Sequence, residues 1–260
     1  MKKIVAIVLT ALMLTAMLAG CGAKADSGLK TVEKGKLIMA TNAAFPPYEY
    51  IEGNEIVGID AEIAGAIAEK LGLELQIDDM EFDSIIESVK GGKADIGLAG
   101  MTVTDERKEV VNFTASYATG VQVVIVTEDS PITSVDDMFA EGAFTTIGVQ
   151  RNTTGDLYTT WDLEDNGMAS IDRYSKGADA VQALITGKVD CVVIDNEPAK
   201  AFVAANEGLK ILETEYILEE YAAAMSKDNA ELYEAVNKAL EELIADGTVA
   251  SIVEKYIPAN

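Results

Sequence analysis

The chain has 260 residues, of which 44 are acidic and 20 basic, for a formal net charge of −24. So acidic a chain is a poor partner for nucleic acid or an anionic membrane surface. It has no histidine and two cysteines, which removes Ser-His and Cys-His catalysis and every zinc site built on imidazole.

The first residues read as an export signal. Lys2 and Lys3 give a positive start, Ile4 to Ala19 run apolar except for Thr10 and Thr15, and the run closes on Leu18-Ala19-Gly20-Cys21. A positive start, an apolar core and small residues before a cut mark a secretory signal. A plain membrane anchor competes, because the run is nearly long enough to span. The cysteine behind small residues, and the polar stretch after it, favour the signal. The Leu-Ala-Gly-Cys ending resembles the bacterial lipobox, which implies removal of residues 1–20 and acylation of Cys21. Residues 21–35 then form a lipidated tether, small, polar and aperiodic from Gly22 to Thr31. Stable attachment takes more than one acyl chain, and the resemblance implies a diacylated or triacylated Cys21. The expected location is the outer face of the cytoplasmic membrane, or the periplasmic side where there are two membranes. Lipid is the only expected membrane contact. Cys191, within Val189–Ile194, reads as a small core residue.

From Lys36 on, strands and helices alternate. A strand over Lys36–Asn42 leads to a loop at residues 43–50, where Pro46 and Pro47 forbid helix. Asp60 is expected to cap a helix with Ile63, Ala66, Ile67 and Leu71 on one face, stopped by Gly72. A strand over Leu73–Ile77, a short helix capped by Asp83, a strand over Ala94–Ala99 and a short helix from Thr104 to Val110 follow. Val121–Val126 is a β run. The pattern then repeats: a helix from Ser134, a strand over Phe144–Val149, a helix over Thr153–Trp161 and a strand ending at Ile171. Next come a helix over Ala178–Thr186, a strand over Val189–Ile194, a helix over Asn196–Asn206 and short strands at Ile211-Leu212 and Tyr221–Met225. Two terminal helices are separated by Gly247. Alternation of this kind predicts an α/β fold with mostly parallel sheets flanked by helices. Two successive sets predict two lobes, residues 36–126 with 220–260 as one and 127–219 as the other. Ligands on such sheets bind at the carboxyl ends of the strands.

Candidate chemistry lies at those ends. In Ala99-Gly100-Met101-Thr102-Val103-Thr104, a strand end meets hydroxyls and a helix start, which suits an anion. Arg107 follows and can fold back onto a carboxylate with two parallel hydrogen bonds; an ordinary capped helix with a solvated arginine explains the stretch equally. Gln150, Thr153 and Thr154 form a second turn of this kind, and common capping explains it too. Asp195 ends an apolar strand, where it can pair with an ammonium or cap the next helix. Phe45, Tyr48 and Phe82 can pack on a ligand side chain or stack on a cation, or plug a lobe. Together these groups describe a zwitterion site.

Several ordered motifs strengthen that reading: Thr41-Asn42-Ala43-Ala44-Phe45-Pro46-Pro47-Tyr48-Glu49, Val57-Gly58-Ile59-Asp60, Ala94-Asp95-Ile96, Thr102 to Arg107, Phe113-Thr114 with Tyr117, and Asp246-Gly247-Thr248. Between Leu37 and Ile257 the chain resembles the polar amino-acid binding proteins of bacterial ABC importers, solute-binding protein family 3, in lipoprotein form. The resemblance implies a two-lobed periplasmic-binding-protein-like fold (type II) with the ligand between the lobes. It implies that Arg107 holds the ligand carboxylate, with Thr102 and the backbone N–H groups of Thr102 and Thr154. Asp195 holds the α-ammonium, helped by the Gly100 carbonyl. Phe45 and Phe82 sandwich the side chain, and Asn42 and Gln150 line its far end. Tyr48, Ala99, Met101 and Thr153 complete the expected ligand-binding set. Position 42 is often Asp in relatives that bind basic or amide side chains, and positions 99 and 100 are frequently Ser, so side-chain choice stays open. The expected partners are a free amino acid (arginine, lysine, histidine or glutamine) and a permease. No cofactor, metal or catalysis is expected, and a monomer is. The alternative is a dehydratase for cyclic carboxylates, similar to cyclohexadienyl dehydratase, on the same fold. It needs an acid or base at the reacting carbon, and Glu49 and Glu197 are the extra carboxylates available.

Overall fold

The computed structural model describes residues 28–142 and 144–258. The expected signal sequence and Cys21 lie outside the described residues. The described end of the expected tether is docked on the body: the Val32 N–H donates to Asp95 Oδ1 at 2.8 Å, and the Asn229 side-chain amide donates to the Lys30 carbonyl at 2.8 Å.

The first half begins with β1 (Lys36–Thr41), whose register with β5 (Glu74–Asp79) is parallel along its whole length. The expected loop between them holds a small antiparallel sheet of β2 (Ala44–Phe45), β3 (Glu49–Glu52) and β4 (Glu55–Val57). Helix α1 (Ile59–Lys70) is capped by Gly58, not by Asp60 as expected. Gly58 has φ 127°, and a β-carbon there would run into the Tyr48 carbonyl, so a glycine fixes the helix start. Asp60 falls in the first turn and points inward. A 3₁₀ turn at Phe82–Ser84 leads into α2 (Ile85–Lys90). The expected strand at 94–99 shortens to β6 (Ile96–Gly97), since only two of its residues pair with β1 before the chain turns away. Thr104 caps α3 (Asp105–Val110) as expected, its hydroxyl accepting from the Arg107 N–H.

The chain then crosses. Strand β7 (Asn112–Thr127) has 16 residues, far more than the apolar run Val121–Val126 foretold. Its return partner β12 (Ile217–Met225) pairs with it antiparallel, with irregularities around Ala222. The second half holds β8 (Thr145–Gln150), α4 (Thr154–Thr159), β9 (Ala169–Tyr174) and α5 (Gly177–Ile185), followed by β10 (Cys191–Asp195), α6 (Asn196–Ala205) and β11 (Leu209–Ile211). The helix expected from Ser134 is a 3₁₀ turn at Val135–Phe139, and α4 continues into a π turn at Thr160–Glu164.

All but the small sheet belong to one sheet of order β5-β1-β6-β12-β7-β10-β8-β9, with β11 on β7. Each outer part is parallel, as read from the alternation; the antiparallel β7–β12 ribbon joins the two parts into the two-lobed periplasmic-binding-protein fold. Closing helices α7 (Ala230–Ala245) and α8 (Thr248–Tyr256) cover the first half. Leu232, Val236, Leu240 and Leu243 of α7 are buried, each worth about 1.5–3 kcal/mol against exposure. Cys191 is wholly buried in β10, and burial pushes its thiol well above the usual range.

Candidate ligand-binding cleft

The carboxyl ends of β1, β6, β8 and β10 converge on a narrow, largely enclosed cleft. The first half contributes Asn42, Phe45, Glu49, Phe82, Ala99 and Gly100, followed by Thr102 and Arg107. The second half contributes Gln150, Thr153, Thr154 and Asp195. Two expected site residues stand behind this lining. Tyr48 packs between Phe45 and Tyr221, with ring centroids 5.9 and 5.2 Å away, and Met101 is wholly buried among the side chains under β1 and α2.

Arg107 forms the positive end. It is 7 % exposed and lies under the Phe82 ring, 5.5 Å from its centroid. One Nη donates to the Thr102 carbonyl and the other to the Asn152 carbonyl, each at 2.8 Å. Those two bonds orient the planar fork and leave other donors for a carboxylate. Burial lowers its pKa, while the charges of Glu219 and Asp195 act the other way. The Thr102 hydroxyl, an expected anion donor, instead donates to Glu219 Oε2 at 3.0 Å. Thr153 caps α4, and the Thr154 hydroxyl accepts from Gln122 Nε2 at 3.3 Å.

The rest of the site is acidic, with Glu49 and Asp195 in the lining and Asp60 and Glu219 behind it. Glu49, Asp60, Asp195 and Glu219 are all nearly or wholly buried. Asp195 occupies the cap position of α6 without making a cap bond. Its carboxylate instead accepts from the Tyr221 hydroxyl. Burial, and then the charge of Glu219, raises it well above the ordinary aspartate range. A β-carbon at Gly120 on β7 would overlap the Tyr221 hydroxyl, so the bare backbone there makes room for that ring. Glu219 Oε2 also accepts from Gln122 Nε2 at 3.0 Å, while Glu219 Oε1 has no donor. Asp60 Oδ2 accepts from the Gly100 N–H at 2.7 Å and the Tyr117 hydroxyl at 2.8 Å. Burial raises Asp60 to about 6 against those bonds.

The lobes touch across the cleft. Gln150 Nε2 donates to Asn42 Oδ1 at 2.9 Å, Arg107 reaches Asn152, and Arg151 stands 3.6 Å from Asp83. Glu197 pairs with Lys200 at 2.6 Å, away from the lining.

Glu219 and Gln122 were missed in the sequence. The signal was there: in Ile217-Leu218-Glu219-Glu220-Tyr221 the strand period of two puts Glu219 on the face of Tyr221.

The profile of the bacterial extracellular solute-binding proteins, family 3, matches residues 37–259. The chain belongs to that family. Among similar proteins is the arginine-binding extracellular protein ArtP of Bacillus subtilis (strain 168), 33% identical over 252 residues and covering 96% of each chain. The substrate-binding protein AbpA from Streptococcus pneumoniae Canada MDR_19A, solved bound to L-arginine, is 35% identical with a TM-score of 0.77, over 85% of this chain and 94% of that one. An ancestral arginine-binding protein bound to glutamine is 37% identical with a TM-score of 0.79, over 87% and 100%. These relatives are named as binding proteins, not enzymes. Among the described residues no helix is long and apolar enough to cross a membrane.

Proposed function

We propose that this protein captures a basic L-amino acid, arginine first, between its lobes and presents it to the permease of an ABC importer. The observation that carries the reading is the polarity of the cleft: one buried guanidinium and two buried carboxylates, Glu49 and Asp195, line it, with the buried acids Asp60 and Glu219 outside the lining. A free amino acid with a cationic side chain has one carboxylate for Arg107 and two cations for the acidic end. Buried charges are tolerated when paired, and a cation supplies donors that the acids lack. Charged pairs also gain strength in a site closed to water. Similar proteins solved bound to arginine and to glutamine support an amino-acid ligand, and the surplus of acids favours the cation.

In this reading Asp195 takes the α-ammonium, Phe45 and Phe82 flank the side chain, and Asn42 and Gln150 line its far end. Tyr48 and Met101 support the lining from behind. The lobes are 36–126 with 220–260, and 127–219. Ligand favours closure only through contacts it makes with both lobes at once. Lipid on Cys21 keeps the protein, a monomer, near its permease.

Calorimetric titration of the purified protein, stripped of carried-over ligand by unfolding and refolding, tests this. Arginine is expected to bind most tightly, lysine and histidine more weakly, and neutral amino acids least. Equal affinity for glutamine would overturn the cationic preference. No binding of any amino acid by the folded protein would overturn the reading itself.

A further inference from the structure

We propose that capture of the cationic amino acid expels a proton from a carboxyl pair, Glu49 and Asp60, at the edge of the cleft. This rests on the function just proposed and adds to it a proton exchanged for the ligand.

Glu49 is wholly buried, lines the cavity, and has no donor to either carboxylate oxygen. Asp60 is wholly buried too; its Oδ2 has two donors and its Oδ1 has none. The Asp60 N–H donates to the carbonyl of Tyr48, the residue before Glu49, at 2.9 Å, and the two carboxyls act on each other as neighbours. Two ionised carboxylates have no hydrogen to share, and unpartnered buried acceptors are costly. A single proton removes both problems: it supplies the missing donor and cancels one of two adjacent like charges.

The proton sits on Glu49. Asp60 accepts the Gly100 N–H and the Tyr117 hydroxyl, which favour its ionised form, whereas nothing favours ionised Glu49. Burial, then the charge of Asp60, holds Glu49 well above the ordinary glutamate range. The titratable and charged groups around the pair are Asp79 at the end of β5, Asp195 at the end of β10, Tyr48 on the preceding turn and Tyr117 on β7, with Glu197 of α6 acting on Tyr48. All of them are acids, so none favours a second negative charge.

A ligand guanidinium or ammonium reverses this balance. Glu49 borders the cavity, so the cation brings the positive charge and the donors that ionised Glu49 lacks. The Glu49 O–H bond breaks, the electron pair stays on the carboxylate, and the proton passes to solvent buffer. One cation enters as one leaves, so the cleft keeps its charge.

The test is calorimetric titration of the full chain with L-arginine near neutral pH, in buffers of different ionisation enthalpy. The observed enthalpy is expected to vary linearly with that of the buffer, with a slope approaching one released proton. Affinity is expected to rise with pH, by up to about tenfold per unit. Glu49→Gln, although it weakens binding, is expected to abolish the slope. A wild-type slope of zero, or a full slope kept by Glu49→Gln, would overturn the proposal; the latter would assign the proton to Asp195 and Glu219. If Glu49→Gln does not fold, difference infrared spectroscopy of the wild type decides. Arginine should remove a buried protonated-carboxyl C=O band, and an unchanged band would overturn the proposal. Binding with no proton release would leave the amino-acid reading intact, whereas no binding at all would overturn both.

Discussion

The two ends of the cleft are built differently. At the positive end, Arg107 is held by two main-chain carbonyls, one from each half of the protein, and lies under an aromatic ring. With the halves in contact its orientation is fixed by main-chain partners, which limits the entropy lost when a carboxylate joins it. At the negative end, oxygens of Glu49, Asp60 and Glu219 lack donors, and burial raises Glu49, Asp60 and Asp195. The positive end is finished by the fold, and the negative end is finished by the ligand. The contrast implies that the positive end supplies orientation and the negative end supplies discrimination among amino acids.

Breaking the positive end should have the largest effect. Arg107→Ala leaves the ligand carboxylate buried without its partner, a loss of about 3–5 kcal/mol, or roughly a hundred- to several-thousand-fold in Kd. It should weaken all amino acids alike, as checked by titration across a panel. Asp195→Asn comes next. It keeps the shape of the acidic end and removes the charge facing the α-ammonium, at a cost of about 2–4 kcal/mol. If arginine affinity survives this change, Asp195 is not the ammonium partner.

A pH series sharpens the comparison without mutation. Asp60 is raised by burial to about 6 and Glu49 is raised well above its ordinary value. An acid raised on folding makes the folded chain hold more protons than the unfolded one, so stability falls as pH rises through the interval. For Asp60 that interval runs from about 4, its unfolded value, to the folded value of about 6. Without ligand, the thermal midpoint should drop as pH rises from the lower limit of this window to neutrality. Saturating arginine should shrink the drop, and circular dichroism melts would show both. A ligand-free midpoint that climbs with pH would contradict the buried acid pair.

The smallest effects are expected at the contacts across the cleft. Gln150→Ala removes the bond to Asn42 and should weaken ligand by about 0.5–1.5 kcal/mol, because closure loses one hydrogen bond. Arg151→Ala breaks only the half-exposed pairing with Asp83 and should change the Kd by at most a few-fold, since such pairs are worth about 0–1 kcal/mol. Titration of both variants in parallel ranks the two contacts.

Much of this protein was legible in the chain. The alternation of apolar strands with capped helices gave the α/β class and the two sets of elements, because periods of 2 and 3.6 are imposed by the backbone. The Thr104 and Thr153 caps, the placement of Arg107 in the first turn of its helix, and that of Gln150 and Asp195 at strand ends follow from the same local rules. Local rules failed where partners lie far away in sequence. Asp60 looked like a helix cap because it precedes an apolar stripe, yet Gly58 starts the helix and Asp60 faces inward to Gly100 and Tyr117. The first part of β7 was invisible because its residues are mixed polar and small, and it becomes a strand only by pairing with β12. The 30 % or more of identity to arginine-binding relatives extends the family resemblance already carried by the motifs. By itself the sequence determined the fold class and pointed to Arg107 and Asp195 as opposed charges, since these depend on residue type and spacing. Only the tertiary structure buried Glu49, Asp60, Asp195 and Glu219 in and behind one cleft with Arg107, because burial and shared electrostatics arise from elements that meet across the sheet.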